Sequence, residues 1–129
     1  MTPLLLHHVA VWVADLERMR EFYVGALGGT SGPVYENPRT GFRSYFVTFA
    51  GYRLELMWQE GRDRGKSEGR GLGYAHVAMS AGSRAGVDRR IAELRARCVR
   101  VVGEPRVTGD GYYEAVIEDP EGNRIEIVG

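Results

Sequence analysis

The feature that most constrains this chain is an internal repeat. The segment His8-Val9-Ala10 returns as His76-Val77-Ala78, and Arg53-Leu54-Glu55-Leu56 returns as Arg124-Ile125-Glu126-Ile127, at offsets of 68 and 71 residues. A repeat of this length is one supersecondary unit used twice, so the fold has to be built from two copies of one pattern. Seven residues after each histidine stands a good N-cap residue, Asp15 or Ser83, and each begins a helical pattern. Leu16, Met19, Phe22, Tyr23 and Ala26 share one helical face, and Gly28 and Gly29 are expected to cap that helix. The second face is Val87, Ile91 and Leu94, with Cys98 in phase beyond them and Gly86 weakening the helix slightly.

Each copy closes with two strand-like runs. Residues 41–49 and 111–117 precede the repeated Glu segments, and turns at Ala50-Gly51 and Asp119-Pro120-Glu121-Gly122-Asn123 separate them. A further short strand fits each helix exit, near 30–35 and 99–103. The order is strand–helix–strand–strand–strand, twice. That is an α+β chain of two tandem βαβββ modules, one at about 1–58 and one at about 73–129, joined by a linker at about 59–72. Its 129 residues suit a single domain. The stretch 59–73 is rich in glycine and in charges of both signs. It reads as a solvated linker, with a lid over a site as the alternative.

Composition removes several function classes. Seventeen basic residues balance seventeen acidic ones, so no net field favours nucleic acid or an anionic membrane. No apolar run is long enough to span a bilayer, and the first residues lack the pattern of a signal peptide. Cys98 is the single cysteine, which excludes an intrachain disulfide and a Cys-rich zinc site and suits a cytoplasmic location.

Strand alternation then singles out four side chains. With Leu6, His8, Ala10 and Trp12 on one face of the first strand, the aliphatic Val9 and Val11 lie on the other, with Leu5 and His7. The second module gives Tyr74, His76, Ala78 and Ser80 against Ala75, Val77 and Met79. Leu54 and Leu56 oppose Arg53, Glu55 and Met57, and Ile125 and Ile127 oppose Arg124, Glu126 and Val128. A lone strand histidine is ordinarily a hydrogen-bonded core or surface residue, and a Glu near an Arg is ordinarily half of a surface ion pair. Recurrence of both at matched places favours a joint role. Modules paired about a pseudo-twofold axis would bring His8, Glu55, His76 and Glu126 together. Two imidazoles and two carboxylates suit a divalent first-row metal, and the carboxylates offset its charge. His7 is expected to take no part.

These residues resemble the vicinal oxygen chelate superfamily, which includes glyoxalase I, methylmalonyl-CoA epimerase, extradiol dioxygenases and the fosfomycin and bleomycin resistance proteins. The likeness rests on residues 8–16, on Glu21-Phe22-Tyr23 with Leu27-Gly28, on residues 73–78 and on residues 118–126, and it covers nearly the whole chain. It implies a cupped half-barrel sheet around a metal site. It also implies that His8, Glu55, His76 and Glu126 are the metal ligands, as in bacterial glyoxalase I, with nickel, cobalt or zinc as the cofactor. The implied activity is a lyase or isomerase reaction by proton transfer through a metal-bound enediolate. Glu126 is then the catalytic base, with Glu55 opposite. The implied substrate is a small molecule or its thiol adduct, and the implied assembly is a homodimer, with each site formed within one chain or across two.

The sequence departs from the glutathione-using pattern at two positions. Trp12 stands where those enzymes place an Arg four residues after the first ligand, and Gln59 stands where they often place an Asn. The first change puts glutathione as the thiol in doubt. Arg43, Arg53, Arg106 and Arg124 are candidate replacement anchors, with surface solvation the ordinary role for each. Trp12, Tyr45, Met57 and Tyr74 are candidate walls of an apolar pocket, and core packing explains them equally well. The competing readings are an acyl-thioester epimerase, an extradiol dioxygenase, a fosfomycin-type thiol transferase and a metal-free bleomycin-resistance-type binder. A fourth ligand at Glu55 counts against the dioxygenase, because it fills a position that catechol and O₂ need.

Overall fold

The N-caps start both helices as their side-chain chemistry dictates. In a computed structural model that describes residues 1–63 and 72–129, Asp15 is extended and its carboxylate accepts from the Arg18 N–H at 3.1 Å. This opens α1 (Leu16–Gly25). Ser83 Oγ likewise accepts from the Gly86 N–H at 3.0 Å and opens α2 (Arg84–Ala96). The buried residues Leu16, Met19 and Tyr23 of α1, and Val87, Ile91 and Leu94 of α2, fall at helical spacing.

The first helix is capped by the expected glycines, and the second ends differently from expectation. Helix α1 stops at Gly25, and the chain then turns through a left-handed Gly28, whose φ is +81°, while the Gly29 N–H donates to the Tyr23 carbonyl at 3.0 Å. Helix α2 closes through Cys98, exposed and left-handed with φ 63°. The Cys98 and Val99 N–H groups donate to the Arg95 and Leu94 carbonyls, each at 3.0 Å. Cys98 therefore holds the position that usually goes to glycine at a helix C-terminus and is not part of the apolar face.

The chain divides into two compact units, 1–65 and 66–129. The first contains β1 (Val9–Trp12), β2 (Thr30–Ser31), β3 (Tyr35–Glu36), β4 (Arg43–Phe49) and β5 (Tyr52–Trp58). Its sheet runs β1-β5-β4-β2, with β3 also on β4, and β1 is parallel to β5. The second contains β6 (Val77–Ser80), β7 (Arg100–Val107), β8 (Tyr113–Glu118) and β9 (Arg124–Val128), in the order β6-β9-β8-β7 with β6 parallel to β9. Each unit is thus an open mixed sheet with one helix, and the architecture is α+β. The short strand expected at 30–35 is two separate pairings with β4. The one expected at 99–103 runs on to Val107, with register shifts between Val101 and Gly103 and between Gly103 and Arg106. Pro105, which has no N–H, lies in this shifted part of an edge strand.

The core sits between each sheet and its helix. Val47, Leu54 and Leu56 are the buried apolar sheet residues of the first unit, and Ala115, Ile117, Ile125 and Ile127 are those of the second. Their spacing of two leaves the other face of each sheet to the polar members of the repeat. Among the described residues no helix is long and apolar enough to cross a membrane. Residues 64–71 of the expected linker or lid lie outside the described residues. The described part touches the first unit, where Gln59 Nε2 donates to the Thr40 carbonyl at 2.9 Å and the Arg62 guanidinium lies 3.7 Å from the centroid of the Trp12 ring.

Candidate metal centre

Strand register brings each histidine to a carboxylate. Ala10 pairs with Glu55 across β1 and β5, and Ala78 pairs with Glu126 across β6 and β9. The histidine two residues before each alanine reaches that glutamate from just before the strand. His8 Nε2 stands 3.6 Å from Glu55 Oε1, and His76 Nε2 stands 3.0 Å from Glu126 Oε1. All four side chains keep some access to solvent, from 16% for Glu55 to 39% for His76. Both histidines lie one residue before the strand proper begins.

The four predicted ligands therefore form two like pairs, one in each unit. Imidazole nitrogen and carboxylate oxygen are donors that divalent first-row ions accept, so the residues present fit such an ion. Among the described residues no three His, Cys, Asp or Glu side chains gather around a common point.

His7, expected to take no part in holding a metal, touches the first pair through His8. Its Nδ1 lies 2.8 Å from Nδ1 of His8, so one ring donates its N–H to the other. Strand alternation does not separate the two rings because both residues precede β1. With Nδ1 of His8 engaged, Nε2 is the nitrogen that faces Glu55.

The surroundings of the first pair are aromatic and cationic. The Phe46 ring meets His8 edge-on at 5.2 Å, and the Arg53 guanidinium lies 4.3 Å from the centroid of Phe46. Further along the same face Trp12 meets Phe42 edge-on at 6.1 Å. Tyr45 is not a wall of this site. It pairs with Leu56 on the helix side, and its hydroxyl donates to Glu17 of α1 at 2.5 Å. Tyr74 stands fully exposed before β6. Gln59 spends its amide N–H on the Thr40 carbonyl. A cleft of about 280 Å³ at the start of α1, lined by Asp15, Glu17, Arg43 and Trp58, shares no residue with the His8–Glu55 pair.

The second pair has a neighbour that sequence reading missed. Glu114 is 8% exposed and in register with Val128, on the face of Glu126. Burial first, and then its hydrogen bond to Glu126, push the Glu114 carboxyl above the ordinary carboxylate range. The only signal in the sequence was phase, because Glu114 lies two residues from the strand partner of Glu126.

Comparison with known proteins identifies relatives of the chain. Residues 5–127 match the Glyoxalase/Bleomycin resistance protein/Dioxygenase superfamily. The chain is 30% identical over 130 residues to a lactoylglutathione lyase of Escherichia coli O157:H7, covering 95% of this chain and 90% of that one. It is 28% identical over 108 residues to the mitochondrial methylmalonyl-CoA epimerase of Bos taurus, covering 81% of this chain and 60% of that one. Among solved structures, the trypanothione-dependent glyoxalase I of Leishmania major superposes with a TM-score of 0.78 at 24% identity, covering 98% of this chain and 87% of that one.

Proposed function

Because this chain belongs to the Glyoxalase/Bleomycin resistance protein/Dioxygenase superfamily, we propose that it is a divalent-metal-dependent enzyme of the glyoxalase I kind. In this reading His8, Glu55, His76 and Glu126 hold one nickel, cobalt or zinc ion, from one chain or from two. The observation that carries it is the matched His–Glu pair in each unit, at 3.6 and 3.0 Å. The lactoylglutathione lyase relatives, at about 30% identity over nearly the full chain, support the same class of reaction.

A divalent ion in such a site supplies Lewis-acid polarisation of a substrate carbonyl. The chain's own residues handle the proton. Glu126, two-bonded to its surroundings through His76 and Glu114, is the base that takes the proton from the carbon beside the carbonyl. Returning it to the adjacent carbon completes an isomerisation, and returning it to the same carbon completes an epimerisation. His8, fixed by His7, and His76 orient the two carboxylates. The relative named as an epimerase favours acyl thioesters as the second substrate class to assay.

The test is elemental analysis of wild type and Glu126→Gln, followed by assay of a methylglyoxal hemithioacetal. Wild type should retain nickel, cobalt or zinc and turn the hemithioacetal over, and the variant should lose turnover by at least about a hundredfold. If wild type holds no metal, and added divalent ions neither bind nor raise its melting temperature, the proposal is wrong.

A further inference from the structure

Arg53 indicates what kind of substrate this site takes, an inference that rests on the metal-site reading above. It lies on β5 two residues before Glu55, so both project from the helix-free face, about 7 Å apart along the strand. Its guanidinium is laid over Phe46 at 4.3 Å, and the same ring meets His8 edge-on. Stacking of this kind fixes the plane of the guanidinium and so the direction of its donors.

Among the described residues Arg53 has no counter-charge. The residue is half-buried, and its Nε is shielded from solvent and donates to nothing. Among the described residues no carboxylate lies within ion-pair distance of it. Its repeat mate Arg124 is treated differently, being exposed and in register with Glu118. In the first unit the place of Glu118 is taken by Thr48, the strand partner of Arg53. A part-buried cation without a partner is costly to keep, and its donors suit an incoming carboxylate. We infer that Arg53 is a specificity-determining anion anchor, and that the substrate carries a carboxylate roughly one strand repeat, about 7 Å, from the oxygens it presents beside Glu55.

The test uses two bidentate chelators that differ in one charge, 4-carboxyphenylacetohydroxamate and its methyl ester. Each is titrated by calorimetry into nickel-loaded wild type, Arg53→Gln and Arg53→Lys, with nickel content and melting temperature confirming that the variants are folded. Wild type should bind the carboxylate about tenfold to a hundredfold tighter than the ester, the range expected of a charge-assisted hydrogen bond. Arg53→Gln should lose that preference while keeping its affinity for the ester, and Arg53→Lys should retain part of it. If the ester binds and wild type shows no preference, or Arg53→Gln keeps the preference, the anchor is refuted and the metal site stands. If neither chelator binds wild type, the metal-site reading fails and the anchor fails with it.

Discussion

Replacing Gly86 by alanine sets local helix preference against tertiary packing. Gly86 lies in the first turn of α2, where propensity alone predicts that alanine stabilises by up to about 1 kcal/mol. A Cβ at this position would lie 2.3 Å from the Ala81 carbonyl oxygen and 3.2 Å from Ser83 Oγ, the N-cap of the helix. An unstrained carbon–oxygen contact needs about 3.3 Å, so the backbone has to give by about 1 Å. Two hydrogen bonds hold it in place, Ala81 N–H to the Val128 carbonyl at 2.7 Å and Val87 N–H to the Ser83 carbonyl at 3.0 Å. Overpacking of this kind costs about 1–3 kcal/mol, and a disturbed N-cap adds about 1 kcal/mol. After the propensity gain, Gly86→Ala should be destabilising by about 1–3 kcal/mol. The control is Gly25→Ala at the end of α1, where a Cβ would meet nothing within 4 Å and φ is not left-handed. That variant should be stabilised by a few tenths to about 1 kcal/mol. Urea unfolding of wild type and both variants, at constant m-value, reads the two signs. A Gly86→Ala protein as stable as wild type, or more so, would refute the packing argument.

Two further substitutions test the turn that leads into β9 and the link between α1 and its sheet. Asp119, 4% exposed, accepts from the Glu121 and Asn123 backbone N–H groups and from Asn123 Nδ2, each at 2.9 Å. Asp119→Ala strands those donors and should cost about 2–3 kcal/mol in urea unfolding; a loss under about 0.5 kcal/mol would contradict this, being the ordinary surface value. The Tyr45 hydrogen bond, opposed by burial and aided by Arg20, holds the Glu17 carboxyl below its ordinary value of 4.5. A depressed folded value gives stability that is present above 4.5 and lost as pH falls through the folded value. The gap in melting temperature between wild type and Tyr45→Phe should therefore be widest near neutral pH and narrow in acid, and a gap constant from neutral pH to pH 3 (about 1.5 units below the ordinary value) would rule the linkage out.

The repeat, both N-caps, the buried helix faces and the alternation that turns Glu55 and Glu126 to the helix-free faces were all legible in the sequence. These features are local. A cap acts within one turn, and a face follows from a period of 3.6 or 2. What the linear chain left open was settled by contacts between segments distant in sequence. Register decided that Glu55 lies opposite Ala10 and that Tyr45 turns towards α1. It also decided that Glu114 reaches Glu126, and that Arg53 faces a threonine where its repeat mate faces a carboxylate. Cys98 takes a left-handed position that composition would give to glycine, and Gly86, which reads as a weakness of α2, is required by the carbonyl of Ala81. The physical reason is common to all of these. Periodicity assigns a side chain to a face, but which neighbour it meets there depends on hydrogen bonds between strands, and those form only when the sheet does.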